Sequence, residues 1–210
     1  MDRIASEIPS DPLANVSRET RRRLEGYAAL YEKWSPRINL TAPSTQTDFW
    51  RRHVGDSAQL LDLAPDARHW IDLGSGGGFP GMVIAILLQD SPDARVELVE
   101  SNRKKTAFLQ AVKARCAPSA LIHSARIEDV VGRIRPPELV TARALAALPK
   151  LLEMTAPWLQ ENSRALFHKG RGYAAEIEES RAKWGFDLVI HESRIDADSV
   201  VLDISNLRPV

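Results

Sequence analysis

The stretch Ile71-Asp72-Leu73-Gly74-Ser75-Gly76-Gly77-Gly78-Phe79-Pro80-Gly81 joins an apolar run to a helical pattern through a turn holding five glycines. A turn so poor in side chains permits positive φ angles and lets a ligand approach the backbone closely. Between 19 and 26 residues after those glycines, Glu100 ends the next apolar run. A carboxylate at that point can accept hydrogen bonds from both hydroxyls of a ribose. Glycine turn and acid, at the ends of neighbouring strands, make a nucleoside-binding arrangement. Gly76 to Gly81 also satisfies G-x-G-x-x-G, the template of a nicotinamide dinucleotide site. Against that reading, the match begins two residues past the natural strand end, a helical section precedes the fold, and a hairpin closes it.

Other reactive side chains are sparse. His53, His69, His123, His168 and His191 show no metal-ligand spacing, and no metal is expected. No Ser-His-Asp pattern or nucleophilic cysteine is evident. Arg143 ends the fourth strand, at the carboxyl edge where open α/β sheets bind ligands. It can meet a ligand carboxylate or a nucleic acid, or form a structural ion pair. Lys169 and Arg171, on the loop after the fifth strand, suit phosphate or a solvated loop. Phe79 is either a platform for a stacked base or a helix-packing residue. His53 alone reads as a satisfied structural histidine.

The elements that must position these residues fall in two parts. Over residues 17–63 the pattern is helical. Leu24, Tyr27, Tyr31 and Trp34 form one apolar stripe with arginines opposite. Ser17 is placed to cap that helix and Ser35-Pro36 to end it. A second stripe, Trp50, Val54, Ser57 and Leu61, predicts a helix over 47–63. From His69 onward short apolar runs alternate with helical patterns, the signature of a parallel sheet covered by helices. Strands are expected at 69–73, 95–100, 120–123, 138–141 and 164–168, and helices at 81–89, 102–115, 145–159 and 172–183. Runs at 186–191 and 200–204 leave no room for a helix and should pair as an antiparallel hairpin. The expected fold is α/β: a Rossmann-like, seven-stranded, mostly parallel sheet with a terminal antiparallel hairpin. Residues 1–65 would form an N-terminal helical cap and 66–210 the ligand-binding domain, together one compact unit.

The bulk numbers agree with an ordinary globular protein: 210 residues, 44% hydrophobic and 27% charged. No apolar run approaches the ~20 residues of a membrane helix, and residues 1–17 lack the basic start and apolar centre of a secretory signal. With Cys116 the single cysteine, a cytoplasmic location and a monomer without membrane attachment are expected. A net charge of zero excludes coating of nucleic acid by the whole surface but permits a local basic patch. Residues 17–53 hold eight basic against four acidic residues, Arg22 and Arg23 among them.

Asp72-Leu73-Gly74-Ser75-Gly76 resembles the first motif of class I methyltransferases. Read as DLGSGGGFPG, Asp72 to Gly81 is similar to the signature of the ribosomal RNA small-subunit methyltransferase G family. Four further elements occur in the family's order: Trp34 to Thr41 (W-S-P-R-I-N-L-T), Arg52 to Ser57 (R-H-V-G-D-S), Arg143-Ala144-Leu145 and Lys169-Gly170. Ser35 replaces a frequent asparagine, and residues 204–210 lack the lysines common there. The resemblance covers nearly the whole chain after its first dozen residues. It implies an S-adenosylmethionine-dependent enzyme that methylates N7 of a guanine in the 530 loop of 16S ribosomal RNA, with that RNA or the small ribosomal subunit as partner. Gly74, Gly76, Gly78 and Phe79 would line the methionine and ribose, Glu100 would hold the ribose, and Ile127 and Glu128 would border the adenine. Arg143 would join the cofactor site. Asn39, Arg52, His53, Lys169 and Arg171 would meet RNA, Arg143 and Lys169 serving to position the reactants. The same turn would also serve a methyltransferase acting on protein or small molecules, or a nucleoside-binding assembly factor.

Overall fold

The computed structural model describes residues 16–41 and 48–210. The start of the second predicted helix, at Thr47, lies outside the described residues. Ser17 caps α1 (Arg18–Trp34), its Oγ accepting from the Thr20 amide at 3.0 Å, and Ser35 closes it. The stripe Leu24, Tyr27 and Tyr31 is buried. A π-helical turn (Phe49–Gly55) leads directly into α2 (Asp56–Leu63). The extra residue in its turn shifts the phase of the predicted stripe. Phe49, not Trp50, therefore turns inward, and Trp50 is left 41% exposed.

Seven strands follow with their helices: β1 (His69–Leu73), α3 (Gly81–Leu87), β2 (Arg95–Val99), α4 (Arg103–Cys116), β3 (Leu121–His123), α5 (Ile127–Val130) and β4 (Leu139–Arg143). The chain continues through α6 (Leu148–Leu159), β5 (Arg164–Lys169), α7 (Tyr173–Arg181), β6 (Trp184–Glu192) and β7 (Val200–Pro209). They form one sheet in the order β3-β2-β1-β4-β5-β7-β6. β1 to β5 are parallel, while β7 runs antiparallel to both β5 and β6. This is the class I methyltransferase layout, and the terminal hairpin pairs as its missing crossover requires.

The four-residue α5 is too short to show a period, so periodicity does not reveal it. α6 begins at Leu148, three residues later than expected, because Ala144 takes a positive φ of 52° and breaks the helical path. Alternate residues of β1 serve two cores. Trp70 joins α1, α3 and α4, whereas Ile71 and Leu73 join α6 and the hairpin. Strand order reverses between β1 and β4, so a crevice opens beyond their carboxyl ends.

α1 runs along α4, from near the end of that helix back toward its first turns. Gly26 lies against Cys116 at the end of α4, and Arg23 reaches Asp90, ahead of β2. Trp34 meets Phe108 nearer the start of α4, and the following segment brings the Leu40 carbonyl over Gly76 and Gly77. Arg22 and Arg23 thus sit beside the end of α4 and the segment before β2, away from the crevice.

Candidate active site

The glycine turn is built by residues that hold its backbone from below. Asp72 is buried at the end of β1, with its Oδ2 accepting from the Gly81 amide at 3.2 Å and its Oδ1 from the Thr141 hydroxyl at 3.0 Å. Burial pushes its carboxyl up to about 6, against the pull of Ser75, Thr141, Gly81 and Arg143. A side chain at Gly81 would strike Asp72, so this glycine permits helix–strand contact. Gly78, at φ +95°, likewise faces inward, onto Tyr27, Met82 and Leu109. It does not stand on the crevice wall as the sequence suggested.

Gly76 is different. At φ +55° it lines the crevice, and a Cβ there would meet the Gly74 and Leu40 carbonyls at 3.7 Å and Lys105 Nζ at 3.9 Å, ordinary contacts without a clash. Its amide donates to Glu100 Oε2 at 2.8 Å, and Glu100 Oε1 accepts from the Asn102 amide at 2.7 Å. An ionised carboxylate has about four acceptor sites. Two are used by the backbone, which fixes the group and leaves two for further donors. Ile127, half-buried, and Glu128, exposed, open α5 beyond the neighbouring strand, outside the crevice itself.

The crevice has a volume of about 550 Å³, within the range of small-molecule sites. Gly74, Gly76 and Phe79 line its floor, and Asn39, Arg52, His53, Lys105 and Arg143 its walls. A smaller hollow of about 330 Å³ adjoins it past Arg143 and includes Lys169 and Arg171.

Arg143 is the tie between these walls. Its Nη1 donates to the Arg52 carbonyl at 2.9 Å and to Asp56 Oδ2 at 3.1 Å, and its Nη2 donates to His53 Nδ1 at 2.7 Å. Guanidinium has no acceptor, so His53 Nδ1 must be the unprotonated nitrogen of its ring. Asp56 also accepts from Gln59 at 2.7 Å and lies 3.5 Å from His168, whose buried ring is held below its ordinary pKa by desolvation. The turn between β6 and β7 closes the assembly, with Asp196 paired to Arg52 at 2.8 Å and the Ile195 carbonyl accepting from Arg51. Asp56, Lys105 and this turn are not among the residues singled out from sequence. Asp56 is visible within R-H-V-G-D-S, and Lys105 in the basic run after Glu100. The contact with the β6–β7 turn has no local sequence signal.

Two sequence expectations need correction here. Phe79 is 4% exposed; His53 stacks on it at 4.5 Å and Tyr27 at 5.5 Å. Arg143 lies 5.2 Å from its centroid. With its ring so enclosed, Phe79 is a packing residue rather than a base platform. Lys169 is also committed, its Nζ pairing with Glu176 at 2.5 Å and donating to the Ala146 carbonyl, with 8% of the side chain exposed. Arg171 is exposed and pairs with Asp198.

A family profile described as rRNA small subunit methyltransferase G matches residues 20–199. The chain belongs to that family. The ribosomal RNA small subunit methyltransferase G of Chelativorans sp. (strain BNC1) is 56% identical over 193 residues, covering 92% of each chain. That of Rhizobium rhizogenes is 49% identical over 195 residues, covering 92% of this chain and 95% of its own. Among solved structures, a TehB-like SAM-dependent methyltransferase from Corynebacterium glutamicum superposes with a TM-score of 0.55 at 13% identity, covering 84% of this chain and 98% of its own. A chain of a fibrillarin/Nop5p complex gives 0.53 at 14% identity, covering 70% and 79%. These two share the fold of the methyltransferase G family member described here. The glycine turn after β1 lines its crevice, while Glu100, after β2, is buried and reaches that turn through the Gly76 amide.

Proposed function

We propose that the chain transfers a methyl group from S-adenosylmethionine to N7 of a guanine in the 530 loop of 16S ribosomal RNA. Membership of the methyltransferase G family carries the reaction class, and the pairing of Gly76 with Glu100 carries the cofactor. The fit is physical. Gly76 presents a side-chain-free backbone to the crevice, and the Glu100 carboxylate anchored on its amide retains acceptors for two ribose hydroxyls. Gly74 and the edge of Phe79 would border the methionine part, and Ile127 and Glu128 the adenine.

When bound, S-adenosylmethionine supplies a sulfonium methyl that the in-plane lone pair of N7 accepts directly. The residues of this chain therefore need move no proton. They hold the guanine in line, and alignment of this kind contributes up to roughly 7–11 kcal/mol in well-oriented cases. Arg143, fixed by Asp56 and the Arg52 carbonyl, keeps His53 and the crevice wall in place. Asn39 and Arg52 border the opening through which the base enters. N7 of a paired guanine lies in the deep, narrow groove of A-form RNA, so the substrate is an unpaired or splayed base. The enzyme acts as a monomer in the cytoplasm, where its ribosomal substrate resides.

Thermal unfolding tests the cofactor assignment. S-adenosylhomocysteine should raise the melting temperature, by the equivalent of about 2.7 kcal/mol at a hundredfold excess over Kd, and NAD should not. A shift with NAD alone would contradict it.

A further inference from the structure

The cations nearest the crevice divide into two groups. Arg52, Arg143, Lys169 and Arg171 are each already paired with a carboxylate, of Asp196, Asp56, Glu176 and Asp198 respectively. A paired cation adds little to the field outside the molecule, and its internal partner must be displaced before it can grip phosphate. Arg103, Lys104 and Lys105, at the start of α4, form no ion pair with any other described residue. Arg103 and Lys104 are exposed, and the first turn of α4 contains no acid. Lys105 lines the crevice, its Nζ 3.9 Å from the point where a Cβ on Gly76 would stand. Arg37, exposed and likewise unpaired among the described residues, belongs to the segment that runs from Trp34, beside Phe108 of α4, to Leu40 above the glycine turn. Lys105 thus lines the crevice itself, and the unpaired Arg103, Lys104 and Arg37 belong to the two segments that lead to it, the start of α4 and the stretch from Trp34 to Leu40.

We propose that the RNA backbone flanking the target guanine is held by Arg103, Lys104 and Lys105 with Arg37, on the α1–α4 side, and not by the Lys169–Arg171 loop. This rests on the RNA-methylating reading above. Lys105 is the member nearest the cofactor turn, so the strand passes from Arg103 toward the reacting base across it. The occupant is an anionic single strand, since spaced charges match its phosphates and Lys105 leads them to a crevice where an unpaired base would enter.

Salt titration of binding to a small-subunit RNA fragment containing the 530 loop tests the assignment. Each single-strand phosphate contact contributes a log–log slope of about −0.7. The double variant R103Q/K104Q should therefore flatten the slope by about 1.4 and raise Kd about 25-fold at 0.1 M salt, while S-adenosylhomocysteine still binds. R22Q/R23Q, beside the end of α4, and R171Q should match the wild type in slope. An unchanged slope in R103Q/K104Q, or an equal loss in R171Q, overturns this surface while leaving RNA methylation by the wild type standing. A wild-type protein that neither binds nor methylates small-subunit RNA would overturn the functional reading and this surface together.

Discussion

Gly76 and Glu100 are legible in the sequence because their chemistry depends on local pattern, a side-chain-free turn and an acid ending the next strand. The structure adds the reason for their pairing, since the Gly76 amide itself anchors the carboxylate at 2.8 Å. Valine at Gly76 would take a strained positive φ and project into the crevice, so G76V should reduce S-adenosylhomocysteine affinity by at least a hundredfold in calorimetry. Gly78 misleads because sequence shows that a residue adjoins the turn, not which way it faces; for the same reason sequence leaves both readings of Phe79 open, and its enclosed ring decides for packing. Asp72 makes a separate prediction. Its folded value of about 6 lies above the ordinary 3.8, so the stabilisation of its neutral form is complete below about pH 4 and lost as pH rises through 6. D72N keeps an acceptor for the Gly81 amide and removes the buried charge. Its stability should exceed that of the wild type at pH 7.5 by up to roughly 3 kcal/mol, the free energy of ionising a carboxyl whose pKa burial has raised so far. The gap should close toward pH 4. A gap independent of pH would show that Asp72 is not the titrating group.

Among the elements, strands and long helices are legible from periodicity, and the hairpin from the absence of a crossover. The π-helical turn is not, because its extra residue changes the period within one turn and moves Trp50 outward. Nor is the locking of this turn, α2, β4 and the β6–β7 turn around Asp56, whose partners Gln59, Arg143 and Ser193 come from three elements. Removing one member of a buried pair leaves its partner's charge uncompensated, typically at 3–5 kcal/mol. D56A should therefore lower stability by about 3 kcal/mol in denaturant titration and impair methyl transfer with it. R171Q, which breaks a fully exposed pair, should leave the denaturation midpoint essentially unchanged. Equal losses in the two variants would contradict the structural role given to Asp56.

At the scale of the whole molecule, zero net charge conceals a directional arrangement. Arginines of the first helical turns lie beside the end of α4, away from the crevice. Composition could not show this, because the sign of a segment does not tell where a 17-residue helix carries each end. The five-element resemblance anticipates the family, which the profile over residues 20–199 shows. The most direct measurement of the central claim is mass spectrometry of RNase digests after incubation of unmethylated 30S particles, or their naked RNA, with the enzyme and S-adenosylmethionine. The predicted result is a single new methyl group on N7 of one guanine in the 530 loop, abolished in G76V. Methylation of an adenine, a cytosine or a protein, with that guanine untouched, would contradict it.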